Sequence, residues 1–231
     1  MTSPRASVPR GLLRAVPIFA GLDAASADAL ERRCEARTFA EGAVVVSEDE
    51  PGEALFVLAL GKVKVVLYGE SGREVILSIF SRPGDVFGEM ALLDDAPRSA
   101  TVMAMERSAL LVLSRADFRA HVDRHPSIAL HVMAELSRRL RRADAIIGDL
   151  ALLDVFGRLA AKLRALAESD GEETEAGILI RQRPTQAEIA AMIGTSRETV
   201  SRALSELSRR GDIVMAGKRL LIRRGTLLGR E

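Results

Sequence analysis

Between Pro126 and Asp154 the apolar residues fall at Met133, Leu136, Leu140, Ala143, Ile147 and Leu150, with gaps that alternate between three and four. That period predicts one long helix carrying the a/d seam of a left-handed coiled coil. The opposite face holds Arg138, Arg139, Arg141, Arg142 and Asp149, so the apolar stripe is narrow. A narrow stripe suits a two-stranded pairing with a partner helix better than burial inside one globule. An amphipathic helix packed within its own domain is the competing reading.

The pattern before this helix is different. Leu12, Leu13, Val16, Ile18 and Phe19 predict a short helix broken at Pro17, and Leu22 to Cys34 a second helix with Leu30 inward. The period then becomes extended. Runs rich in Val, Ile, Leu and Phe lie at Ala43 to Val46, Ala54 to Leu60, Lys62 to Tyr68, Glu74 to Phe80, and Thr101 to Leu113 in two pieces, separated by Gly and Pro. Strands at this spacing predict a small antiparallel barrel or sandwich. A brief helix is expected over Asp117 to Val122. After the long helix, Asp154 can cap a helix over Val155 to Ala167; Asp170 to Gly177 reads as an acidic loop, and Ile178 to Arg181 as a strand.

Composition sharpens this division. At 231 residues the chain can hold two small cores, and its net charge is only +1. From Ala176 to Arg224, however, ten Lys/Arg face four acids, so this part can hold an anionic polymer. The single cysteine, Cys34, excludes an intramolecular disulfide or a multi-cysteine metal site and implies a reducing, cytoplasmic setting. No apolar run reaches membrane-span length and the opening MTSPRASVPR has no signal-peptide core, so no membrane partner is expected. His121, His125 and His131 do not form a spaced set with a carboxylate; they are expected at the surface or dimer edge, with no metal.

Two stretches carry chemistry. After Phe87 comes Gly88-Glu89-Met90-Ala91-Leu92-Leu93, a short helix, and then Asp94-Asp95-Ala96-Pro97-Arg98-Ser99. A helix start behind a glycine, with an Arg fork and a Ser hydroxyl, makes a phosphate cradle; in the plainer reading Arg98 is a solvated loop residue and Glu89 an acid favoured by the helix dipole. The second stretch holds two capping boxes, Thr185-Gln186-Ala187-Glu188 and Thr195-Ser196-Arg197-Glu198, on either side of Gly194. Ile189, Met192 and Ile193 point inward on the first helix, Val200, Ala203, Leu204 and Leu207 on the second, which makes a helix-turn-helix. Ser196, Arg197, Glu198, Ser201 and Arg202 lie near the start of the second helix, where Arg can read guanine, Glu can read cytosine, and Thr185 and Ser196 can touch phosphates. Gln186 and Lys218, the latter in the turn of a hairpin formed by Asp212 to Met215 and Arg219 to Arg223, complete the candidate DNA-binding set. In the plainer reading Glu198 only completes the capping box and makes no base contact.

Phe87-Gly88-Glu89-Met90-Ala91-Leu92 with Arg98-Ser99-Ala100-Thr101 resembles the phosphate-binding cassette of the catabolite activator (cyclic-AMP receptor) family, and Thr195 to Arg202 resembles that family's recognition helix. The resemblance covers Gly11 to Arg224. It implies an α+β fold: a loose tail (1–10), an antiparallel, jelly-roll-like β-barrel domain (11–125), a long dimerisation helix (126–154) and a winged helix-turn-helix (155–231). It implies that Gly88, Glu89, Met90, Arg98 and Ser99 hold a cyclic nucleotide, with Glu89 on the ribose 2′-hydroxyl and Arg98 and Ser99 on the cyclic phosphate. It further implies that Arg197, Glu198 and Arg202 read palindromic half-sites similar to TGTGA, and that the function is allosteric transcription regulation by a homodimer on double-stranded DNA, with RNA polymerase as partner if it activates.

One departure falls where relatives contact the base. Those relatives place a Thr and then a Ser or similar residue on the long helix; here the positions carry Ala143 and Asp144. A carboxylate accepts only, and pairs more fully with the adjacent donors of guanine than with adenine. The expected effector is cyclic AMP, with cyclic GMP or cyclic di-GMP as alternatives, or Asp144 pairs with Arg141 or Arg142 across the dimer. A ligand-independent regulator and a regulatory subunit of an enzyme or channel are the other readings. No nucleophile–base pair or carboxylate pair is placed together by sequence, so no enzyme is expected.

Overall fold

The computed structural model describes residues 8–225. The chain divides into two compact units, with the boundary between Leu140 and Arg141. Each is built around its own apolar core.

The first unit opens with two 3-10 turns, Leu12–Ala15 and Pro17–Phe19, and helix α1 (Ala24–Glu31), whose N-terminus is capped by Asp23. The helix predicted from Leu22 to Cys34 is therefore shorter. Asp23 takes the cap position and Glu35 already pairs in a strand. Eight strands follow: β1 (Glu35–Phe39), β2 (Val44–Val46), β3 (Ala54–Leu60), β4 (Val63–Tyr68), β5 (Glu74–Phe80), β6 (Val86–Phe87), β7 (Thr101–Ala104) and β8 (Ser108–Ser114). They form two four-stranded antiparallel sheets, β1-β8-β3-β6 and β2-β7-β4-β5.

The order explains the sequence pattern. β3 and β8 are near-continuous apolar runs because their sheet is covered on both faces. Leu55, Val57, Ala59, Ala109, Leu111 and Leu113 pack on the helical side with Phe19, Leu30, Phe118 and Ile128. The alternate residues Phe56, Leu58, Leu110 and Val112 pack with Val63, Phe80, Phe87 and Val102. β1 and β6 escape the hydrophobic pattern because β1 is an edge strand with mostly exposed residues and β6 has two residues.

Between β6 and β7 lies the short helix α2 (Met90–Leu93). After β8 come α3 (Arg115–Arg124), capped by Ser114, and α4 (Ser127–Leu152). Ile128 and Val132 of α4 are buried in the first core and Leu136 packs against it, whereas Leu130, Met133, Leu140, Ile147 and Leu150 are exposed. His121 is a correction to the surface placement expected for it: the ring is buried, with Nδ1 2.8 Å from the Asp117 carbonyl one turn earlier.

The second unit contains α5 (Val155–Asp170), β9 (Gly171–Thr174), β10 (Gly177–Ile180), α6 (Gln186–Ile193), α7 (Arg197–Arg209), β11 (Ile213–Ala216) and β12 (Arg219–Arg223). Its sheet runs β11-β12-β10-β9, all antiparallel. Asp154 caps α5, its Oδ1 accepting from the Gly157 amide at 2.7 Å. The stretch Asp170 to Gly177, expected as a loop, instead contains β9 and its turn. Being an acidic edge strand paired on one side only, β9 carries no apolar alternation to betray it.

Leu58→Ala, at a fully buried position between the two sheets, should lower unfolding free energy by about 2–5 kcal/mol. Leu60→Ala, two residues on and 65% exposed, should change it by less than about 0.5 kcal/mol. Urea denaturation of both variants measures the contrast.

Candidate functional site

The segment from β6 through α2 to Ser99 folds back on itself, so that residues ten apart in sequence become neighbours. Gly88 has φ 85°, and a side chain there would meet Nη1 of Arg98 and the Ala54 carbonyl. Only glycine lets the backbone approach the guanidinium this closely. Arg98 is buried; Nη1 donates to the Gly88 carbonyl at 2.8 Å and Nη2 to the Ala54 carbonyl at 2.7 Å. Its guanidinium also lies over the Phe56 ring. Arg98 is therefore not a solvated loop residue, and burial pulls its pKa down, with the Glu89 carboxylate opposing that shift.

Glu89 is 3% exposed. Its Oε1 accepts from Arg139 Nη1 at 2.9 Å. Arg139 also donates from Nη2 to the Val86 carbonyl at 2.5 Å and from Nε to Glu135 at 3.0 Å, and it lies over the Phe80 ring. The rings of Phe56, Phe87 and Phe80 stack in series, with centroid separations of 5.2 and 5.7 Å, so Arg98 and Arg139 cover opposite ends of one aromatic column.

Arg139 is the residue that sequence reasoning missed, having read it as part of the polar face of α4. Two signals were available: Glu135 stands at the i−4 position, and a Glu inside a cassette between apolar strands needs a cation.

Six buried side-chain polar atoms find no hydrogen-bond partner among the described residues, and two of them, Glu89 Oε2 and Arg98 Nε, fall within the cassette. Buried polar atoms are nearly always paired, so an acceptor and a donor left over within one cassette favour a ligand offering a hydroxyl and an anion. Met90 and Ser99 are exposed at the same place, 4.0 Å apart from Ser99 Oγ to Met90 Sδ. Ala143 and Asp144 are exposed on α4. Cys34 is held protonated, its pKa pushed up to about 12 chiefly by burial, which removes it from thiolate chemistry.

In the second unit, Thr185 and Glu188 close a capping box at the start of α6. The start of α7 corrects the expected second box. Ser196, not Thr195, is the cap, its Oγ accepting from the Thr199 amide at 3.2 Å. Glu198 therefore stands one place too early to reciprocate. It is exposed, and its pKa is lowered first by its own backbone N–H and next by the Ser196 hydroxyl. Arg197 and Arg202 are exposed beside it and Ser201 is half-buried, while Val200, Leu204 and Leu207 are buried. Lys218 lies exposed in the two-residue turn between β11 and β12. That turn is fixed from α6's side: the Arg183 amide donates to the Lys218 carbonyl at 2.9 Å and Arg183 Nη2 to the Gly217 carbonyl at 3.2 Å. Gln186 is half-buried at the first turn of α6.

The first unit thus carries a buried Arg–Glu cassette beside a double antiparallel sheet, and the second a helix-turn-helix followed by a β-hairpin. Residues 36–125 match the cyclic nucleotide-binding domain family and residues 157–230 the Crp-like helix-turn-helix domain family. The CRP-like cAMP-activated global transcriptional regulator of Mycobacterium tuberculosis is 34% identical over 95% of this chain and 98% of its own. The cyclic AMP receptor protein of Thermus thermophilus is 35% identical over 94% and 96%. The cyclic di-GMP-responsive global regulator of Xanthomonas campestris superposes with a TM-score of 0.76 at 24% identity, over 88% of this chain and all of that one, a likeness of fold alone. The chain belongs to the catabolite activator (cyclic-AMP receptor) family of transcription regulators.

Arg139→Met should destabilise the first unit by about 2–4 kcal/mol, because it leaves the Glu89 carboxylate buried without its cation. Adding Glu89→Gln to that variant should restore part of the loss, a non-additivity that a double-mutant cycle by urea unfolding measures.

Proposed function

We propose that the protein is a homodimeric transcription regulator whose affinity for double-stranded DNA is set by a cyclic nucleotide held at Gly88, Glu89, Met90, Arg98 and Ser99. The observation that carries this is the pair of buried, unpartnered atoms, Glu89 Oε2 and Arg98 Nε. A ribose 2′-hydroxyl can donate to the first, and a cyclic phosphate can accept from the second and from the Ser99 hydroxyl. Arg98 has five N–H donors and uses two on carbonyls, so it can take an anion while keeping its place.

The exposed stripe of Met133, Leu140, Ile147 and Leu150 on α4, at heptad spacing, supports pairing with a second copy. Two α7 helices would then meet successive major grooves about 34 Å apart. Arg197, Glu198 and Arg202 would read half-sites similar to TGTGA, while Thr185, Gln186, Ser196, Ser201 and Lys218 contact or border the phosphates. The Ser196 cap supports base readout by Glu198, since that carboxylate has no capping-box duty.

Cyclic AMP is the effector favoured by the two cyclic-AMP-responsive relatives. A second reading, cyclic GMP or cyclic di-GMP, is favoured by the exposed Asp144, which suits a guanine edge better than an adenine one.

Calorimetric titration with cyclic AMP, cyclic GMP and cyclic di-GMP in turn decides among these. Saturable binding of cyclic AMP with at least tenfold preference over cyclic GMP is expected; the opposite preference would assign Asp144 as the specificity residue, and binding of none would overturn the effector claim. For Glu198→Gln, selection from a randomised palindrome should show relaxed preference at one base pair per half-site, worth about 1–3 kcal/mol. An unchanged selection would remove Glu198 from the base readers.

A further inference from the structure

Arg115 and Arg119, one turn apart on α3, hold the α2 segment from behind. Arg115 Nη2 donates to the Ala91 carbonyl at 2.8 Å and Arg119 Nη2 to the Leu92 carbonyl at 3.2 Å, so both grip the C-terminal part of α2. Asp95 stands two residues beyond α2 in the left-handed region, at φ 57°, a conformation that costs a non-glycine residue energy unless its surroundings hold it. They do: its Oδ1 accepts from Arg119 Nη2 at 2.8 Å and also from Arg115 Nη1.

The grip extends to a third segment. Arg115 Nη2 also donates to the Gly52 carbonyl at 2.5 Å, and the Arg115 amide to the Glu53 carbonyl at 2.9 Å. That loop is the other wall of the Arg98 site. Arg98 donates its amide to the Glu50 carbonyl at 2.9 Å, and its own carbonyl accepts from the Asp49 amide at 3.0 Å. A side chain at Gly52 would collide with Ala91 and touch Arg98, so the loop, α2 and the Arg98 guanidinium are packed with no slack. Arg115 lies close enough to Arg98 for the two cations to repel, which adds to the attraction of this corner for an anion.

We infer that Arg115, Arg119 and Asp95 are positioning residues for the nucleotide cradle, fixing α2 and the 49–53 loop so that Arg98 and Glu89 are aimed before the ligand arrives. The inference rests on the cyclic-nucleotide reading of that site. It assigns a role to α3 that neither the cassette motif nor the aromatic column contains. Arg115 reaches the Ala91 and Gly52 carbonyls from Nη2 and the Asp95 carboxylate from Nη1, so its function requires the planar fork of arginine and not merely a positive charge.

The test is calorimetric titration of cyclic AMP, and of cyclic GMP, into the 231-residue chain and five variants, with the thermal transition of each recorded alongside. Arg115→Lys keeps the charge but cannot serve Ala91, Gly52 and Asp95 together, and should weaken binding about tenfold, as much as Arg115→Met. Arg119→Met and Asp95→Asn, both at exposed positions where the fold should survive, should weaken it about three- to fivefold. Their double variant should lose less than the product of the two single effects, because both substitutions remove the shared Arg119–Asp95 contact. If Arg115→Met does not fold, the Arg119 and Asp95 variants decide. Wild-type binding with all folded variants within twofold of it would overturn the inference alone. Wild-type affinity in Arg115→Lys with a loss in Arg115→Met would overturn it in favour of charge only. If the wild type binds neither nucleotide, the underlying reading falls and the inference with it.

Discussion

A carboxylate that is 3% exposed must have a cation, and in the first unit that cation is Arg139, 50 residues along the chain. Much of the first unit's arrangement follows from this pairing. α4 has to pass beside β6 and α2 for Arg139 to reach both Glu89 and the Val86 carbonyl. The aromatic column from Phe56 to Phe80 has to lie flat enough for an arginine to cover each end. Breaking one member of such a buried pair is costly because it strands the other, which ties the cassette to α4 more firmly than area burial would. The same arrangement leaves one oxygen of Glu89 over. A site whose polar side chains are held by bonds to other residues is preorganised, so that a ligand meeting it would need less ordering.

That geometry gives physical content to regulation. In the proposed function a nucleotide meets Glu89 while Arg139 already holds it from α4, so occupancy and the environment of the dimerisation helix share one carboxylate. A ligand shifts an equilibrium only by its different affinity for the two states. The Glu89–Arg139 contact is where such a difference would arise on this chain, and the exposed heptad stripe of α4 is what a change in helix pairing would act through.

Much of the architecture was legible because burial wrote it into the pattern. The runs at 54–60 and 74–80 are β3 and β5 residue for residue, since each strand is long and has partners or cover on at least one face. The helix at 126–154 is α4 within two residues at each end, and Asp154 caps α5 as its chemistry suggests. What stayed hidden lay at edges: β1 and β9 are short, charged and paired on one side, so neither hydropathy nor turn residues announce them. The candidate site divides the same way. Glu89 and Arg98 stand out in a local motif, whereas Arg139, Arg115 and Arg119 join it only through folding, and an arginine on a helix looks solvated until the strand it meets is known. Thr195 and Ser196 show the limit of a motif one residue wide, because both can cap and only the backbone chooses.

The central claim is that this cassette controls DNA binding, and the direct measurement is fluorescence anisotropy of a labelled palindrome with TGTGA-like half-sites, titrated with protein in the presence and absence of saturating cyclic AMP, alongside the Arg98→Gln variant. The account predicts at least tenfold tighter DNA binding with nucleotide, with that gain lost in Arg98→Gln. Equal DNA affinity with and without nucleotide in a protein that binds cyclic AMP would contradict it.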